Sequence, residues 1–256
     1  MLNRTSTPDI IDAVHLNLTL KPYEKFLLSN EVPVYAVNAG AEDVLMIELV
    51  FNAGNSFEEQ NTVAYATNHL LKNGTSQKNA FQINEHFEYY GAYLNRSCHH
   101  EYASITLHCL SKHLSVLLPV LREIISDSIF PEEELEIFKQ NSKQQLSVNL
   151  HKCDFVANRL IDVYLYGMDH PYGKFNNVVD YDLLQTEPLK KFYQQYYQNG
   201  KCIIFAAGKL PGDFQPQLNS FFGDLNINQP VANPEYIALP SLQKKARINN
   251  DPDGVQ

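Results

Sequence analysis

Two stretches alternate strictly enough to constrain the fold before anything else is read. From Asp43 to Phe51, the residues Leu45, Ile47, Leu49 and Phe51 fall on one face; from Tyr102 to Leu110, so do Ala103, Ile105, Leu107 and Cys109. Successive strand side chains point to opposite faces, so each run carries an apolar face that must be covered. A hairpin over 24–38, turning at Asn30-Glu31, a strand from Ala92 to Ser97 and an apolar strand from Lys201 to Ala207 join them. Helical periodicity covers 63–73, 79–90, 111–127, 131–150, 154–166, 187–198 and 211–223. Strand pairs interleaved with helix pairs predict an α+β domain, a mixed, mostly antiparallel sheet covered by helices. That domain takes residues 1–223. From about residue 224 to 245 the chain reads as a linker punctuated by Pro230, Pro234 and Pro240, and its last residues as the entry to another strand.

Charge and cysteine usage narrow the setting. The 256 residues carry a formal net charge of −9, which argues against nucleic acid or an anionic membrane as partner. The one local basic cluster, Lys244-Lys245 with Arg247, lies near the C-terminus. The N-terminus lacks an apolar signal region, and no run approaches the ~18 apolar residues of a membrane span. Cys98, Cys109, Cys153 and Cys202 are scattered with no C-x-x-C pair, as expected of reduced core cysteines in a cytoplasmic protein.

The segment Val63 to Asn73, ending at Gly74 as a helix cap, is the chemical focus. On a helical wheel Val63, Ala66, Thr67, Leu70 and Leu71 share one side. Tyr65, Asn68, His69 and Lys72 form a narrow polar stripe opposite. Tyr65, Asn68 and His69 stand at i, i+3 and i+4, where three side chains can converge on one object. Inverse zincins read H-x-x-E-H at these places, two metal ligands and a general base. Spacing alone leaves three readings open: a metal site, a former metal site or a coincidence.

Dispersed motifs carry a resemblance. They are V-P-V-Y, then F-N-A-G-N-S-F-E-E, the helix ending N-G-T, Y-Y-G-A-Y-L, F-P-E-E-E-L-E, H-P-Y-G, and F-Y-Q-Q-Y-Y before an apolar strand ending in Gly208. In this order and spacing, from about Phe26 to Leu210, the sequence resembles peptidase family M16, the pitrilysin and mitochondrial-processing-peptidase-like zinc peptidases. The similarity is to the N-terminal domain of bacterial two-domain members. It implies an M16/LuxS-like metallohydrolase-type fold, with two such domains, or a partner's, enclosing a chamber that holds extended peptides. The closing D-G-V-Q resembles the start of a second homologous domain, so 224–256 reads as linker plus a truncated second domain.

Carried over residue by residue, the resemblance puts the first ligand position at Tyr65, the base position at Asn68 and the second ligand position at His69. The third ligand position falls at Gln145, with Gln144 its neighbour. Only His69 keeps the family's residue. A neutral carboxamide cannot accept a proton near neutral pH, and a phenol and an amide are poor zinc ligands. The site is degenerate, so no catalytic residue and no bound zinc are expected, although zinc serves the active members. Asn68, His69 and Gln145 are expected either to form a hydrogen-bonded cluster or, since Lys139 to Gln145 has no apolar residue, to lie on a solvated helix face.

The leading expectation is a non-catalytic M16 subunit, a pseudoenzyme pairing in a heterodimer with an active M16 metalloendopeptidase or with its own second half. It handles peptides and contacts neither nucleic acid nor membrane. One alternative is an active zinc peptidase using His69 with His99, His100 or Glu101; another is a structural module that takes no peptide. His99-His100-Glu101 reads as an exposed turn, His108 and His113 as strand-end residues, His151 as a helix terminus and His170 as part of a structural loop.

Overall fold

The computed structural model describes residues 19–240. The expected strand entry at Asp253–Gln256 and the basic cluster at 244–247 lie outside them. The first hairpin forms as read: β1 (Glu24–Leu27) pairs antiparallel with β2 (Pro33–Asn38) around Glu31, whose φ is 65°. The two alternating runs become β3 (Val44–Phe51) and β5 (Ala103–Leu110), paired antiparallel with Ile47 opposite Leu107 and Leu49 opposite Ile105. On both strands the apolar set faces the core, Ile47, Leu49, Phe51, Ile105 and Leu107 all being fully buried.

β4 (Tyr93–Cys98) lies antiparallel along β5, and β6 (Cys202–Gly208) inserts between β2 and β3, parallel to the first and antiparallel to the second. The sheet order is β1-β2-β6-β3-β5-β4, so β4 is an edge. Parallel pairing of β2 with β6 needs a long crossover, and most of the helical chain supplies it.

The helices are α1 (Val63–Leu70), α2 (Ala80–Tyr89), α3 (Leu114–Asp127), α4 (Glu132–Leu150), α5 (Cys153–Tyr166), α6 (Val178–Asp182), α7 (Thr186–Tyr193) and α8 (Phe214–Phe222). α1 stops at Leu70 rather than Asn73, the last three residues forming a turn closed by Asn73 N–H to Leu70 O (2.9 Å) before Gly74 at φ 152°. α7 runs into a π-helical turn over Gln194–Gln198. α6 has no counterpart in the periodicity reading; five residues are too few to show it, and it is held by an Asn177–Asp180 capping box.

Past α8 the chain stays attached to the domain. Cys202 N–H donates to Ile227 O (2.8 Å), Ile227 is buried, and Tyr236 Oη donates to Ser56 O (2.7 Å). The stretch read as a proline-punctuated linker thus includes one buried core residue, Ile227. No helix among the described residues is long and apolar enough to cross a membrane, and Cys98, Cys109, Cys153 and Cys202 are all free.

Candidate functional site

α1 is held at both ends. The buried carboxylate of Glu58 accepts from Thr62 N–H (3.2 Å) and Ala64 N–H (2.8 Å), satisfying two donors of the first turn. Burial outweighs these bonds and pushes Glu58 up to about 7. Thr62 pays for the entry angle with φ 78°, a left-handed conformation that a β-branched residue rarely adopts. At the other end the Arg96 guanidinium on β4 donates through Nη1 to the carbonyl oxygen of His69.

The polar stripe does not survive as drawn. α1 packs against β4 on one side and α7 on another, so its buried arc is wide and takes in Asn68. That residue is 2% exposed and turned inward: Nδ2 donates to Ser104 O on β5 (3.3 Å) and to Tyr197 Oη in the π turn (3.1 Å). Tyr197 is itself fully buried against Phe51, ring centroids 4.9 Å apart.

Tyr65 and His69 face outward into an open cleft of about 520 Å³ between α1 and α4, and Gln145 lines the same cleft. Three of the four carried-over positions, Tyr65, His69 and Gln145, thus line one cleft, while Asn68, which the i, i+3, i+4 spacing placed with Tyr65 and His69, turns away from it. Their chemistry has changed. Phe138 on α4 packs its ring 5.0 Å from His69 and 5.8 Å from Tyr65, and Tyr181 on α6 adds a further ring 6.2 Å from Phe138. Burial, with the charges of Arg96 and Lys72 behind it, pushes His69 down to about 4 and keeps it neutral near pH 7.

Gln145 is exposed and donates to Asn149 Oδ1 (3.2 Å), one turn along its own helix. Hydrogen bonds do not link Asn68, His69 and Gln145, so the expected cluster is replaced by the solvated helix face: α4 buries only Leu135, Phe138 and Leu146. Gln144 is exposed as well.

None of the other described histidines lines this cleft. His100 meets Asn55 Oδ1 at 3.1 Å and packs on Tyr172, whose hydroxyl donates to Glu101; His99 packs on Tyr102. His170 Nδ1 accepts from Tyr172 N–H (3.1 Å), His113 packs on Tyr90, and His108 lies beside Tyr93. Among the described residues, no group of three or more His, Cys, Asp or Glu side chains could hold a metal ion. His99, His100 and Glu101 are therefore engaged with neighbours of their own rather than grouped with His69.

The family profile of Insulinase (Peptidase family M16) matches residues 34–163. The chain belongs to peptidase family M16. It is 24% identical over 211 residues to the uncharacterized zinc protease YmxG of Bacillus subtilis, an alignment covering 78% of this chain and 50% of that protein. To an uncharacterized zinc protease of Rickettsia felis it is 26% identical over 190 residues, covering 73% of this chain and 46% of the relative. The chain thus spans about half the length of the curated relatives it matches.

The fold is shared with the crystal structure of a peptidase M16 inactive domain from Pseudomonas fluorescens (TM-score 0.78, 23% identity, 86% of this chain and 54% of that one). It is shared too with a protease from Helicobacter pylori (TM-score 0.74, 18% identity, 86% and 54%). M16 relatives are named for zinc, but the donor set here does not fit it. Zinc takes imidazole, thiolate and carboxylate, whereas His69 stands among a phenol, a phenyl ring and a carboxamide that bonds elsewhere. The base position is a buried amide already donating to two oxygens.

Arg96, Phe138, Tyr181 and Tyr197 escaped the sequence reading. Only Arg96 left a signal there: it shares strand parity with Leu94, placing a cation on the buried face of β4.

Proposed function

We propose that this chain is a non-catalytic M16 domain that forms one wall of a peptide-holding chamber, completed by an active M16 metalloendopeptidase or by a second half of its own protein. The observation that supports this reading is Asn68. A general base must face the reacting water with a free lone pair, and here an amide without basicity points into the core. Loss of the base alone is worth about 10²–10⁴-fold in rate. The chamber function needs none of that chemistry: β4 remains an edge strand open to an extended peptide, and the Tyr65–His69 cleft remains open beside α1.

Co-expression with an H-x-x-E-H-bearing relative tests the proposal. The expected result is that the two co-purify, that peptide cleavage needs both, and that the purified chain alone carries no stoichiometric zinc and cleaves no peptide. Chelator-sensitive cleavage by the chain alone overturns it.

A further inference from the structure

Arg96 is a half-buried cation without an acid. Its strand parity sends the side chain between the edge of the sheet and the last turn of α1, where Nη1 donates to His69 O. One carbonyl occupies one of five N–H donors. Nε is buried and has no hydrogen-bond partner.

Lys72, two residues past the end of α1, stands in the same corner and donates to Asn84 Oδ1 on α2 (2.8 Å). Neither residue takes part in an ion pair among the described residues. The titratable groups facing them are the hydroxyls of Tyr65 and Tyr93, the neutral ring of His69 and, on the Lys72 side, Glu88. Burial pushes Arg96 down to about 10; burial, then the Arg96 charge, pushes Lys72 down. Two like charges are thus held together at partial burial in a chain whose net charge is −9. Such an arrangement costs free energy until an anion arrives.

We propose that the corner formed by β4, the end of α1 and α2 is a subsite for a peptide carboxylate, with Arg96 as its anchor and Lys72 as its second cation. The carboxylate is either a C-terminal group or an Asp or Glu side chain. A carboxylate offers the planar pair of oxygens that a guanidinium fork matches, and it neutralises both cations at once. The unpaired edge of β4 aligns the rest of an extended chain, and the exposed ring of Tyr65, 42% accessible, stands on the α1 side of the corner. The proposal rests on the peptide-holding reading and deepens it.

The test uses the full-length protein and fluorescence anisotropy with three labelled peptides of one sequence. One carries a single Glu and an amidated C-terminus, one carries Gln and a free C-terminal carboxylate, and one carries Gln and an amide. At least one acidic peptide is expected to bind about 10-fold or more tightly than the neutral one, as a charge-assisted pair supplies, and the preference is expected to shrink with added salt. Whichever acidic peptide binds better identifies the source of the carboxylate. Arg96→Gln, which keeps a donor for His69 O, is expected to erase the preference for the acidic peptide over the neutral one. Lys72→Met is expected to reduce it in part.

Equal binding of all three peptides overturns the carboxylate subsite and leaves the peptide-holding reading intact, as does a preference that survives in Arg96→Gln. If no peptide binds, the peptide-holding reading fails, and glutarate titrated into ¹⁵N-arginine-labelled protein judges the subsite separately. A saturable shift of the Arg96 Nε–H resonance, assigned by its absence from Arg96→Gln, upholds the site; an unmoved resonance overturns it.

Discussion

At Asn68 a carboxamide meets two oxygens, Ser104 O and Tyr197 Oη, through one NH₂ group. A carboxylate in the same rotamer would set like charge against the Ser104 carbonyl inside the core. Asn68→Leu removes both bonds and leaves the two oxygens without their donor, a loss of about 1–3 kcal/mol; Tyr197→Phe removes one bond and costs about 1 kcal/mol. Urea denaturation at neutral pH measures both, and a stability unchanged by Asn68→Leu would show that these bonds carry no weight.

His69 adds a pH signature. Its folded value of about 4 lies below its ordinary 6.5, so its contribution to stability is present above pH 6.5 and is lost as the pH falls towards 4. His69→Gln is expected to flatten the stability curve across that window, as followed by chemical denaturation at several pH values. The spacing of Tyr65, Asn68 and His69 was readable in the sequence, because a helix puts i, i+3 and i+4 together whatever their chemistry. Which of the three turned inward was not, because that depends on what packs on each side of α1.

At the scale of elements, α1 shows how a short helix is made rigid from outside. Its eight residues include no acidic residue in the first turn, and Glu58 supplies the missing acceptor from four residues before Thr62. Glu58→Ala is expected to cost about 1–2 kcal/mol, as losing a helix cap does.

The pH dependence of Glu58 runs opposite to that of His69. Its folded value of about 7 lies above its ordinary 4.5, so its contribution is present below pH 4.5 and is lost as the pH rises through 7. Glu58→Gln is expected to remove that decline, and thermal melts across the window would show it. The other elements were mostly legible, since β3 and β5 alternate and α3 and α4 are long. The π turn after α7 was not: its sequence, Gln194–Gln198, reads as ordinary helix, and only the widened turn brings Tyr197 under Phe51 and within reach of Asn68.

For the whole molecule, the central strands carry the load. β3 is flanked by β5 and β6, and Ile47 is fully buried on its core face. Ile47→Ala is expected to cost about 2–5 kcal/mol. Equilibrium unfolding would measure it, with amide exchange expected to be slowest along β3, β5 and β6.

The α+β class, the alternating faces and the long helices follow from local order alone, because periods of 2 and 3.6 residues are fixed by backbone geometry; the one surviving histidine of the motif follows from the family resemblance. The insertion of β6 between β2 and β3, the inward turn of Asn68, the aromatic filling around His69 and the meeting of Arg96 with Lys72 do not. Each joins residues far apart in the chain, Asn68 with Tyr197 or Tyr65 with Phe138, and only a completed core determines which side chains share a place.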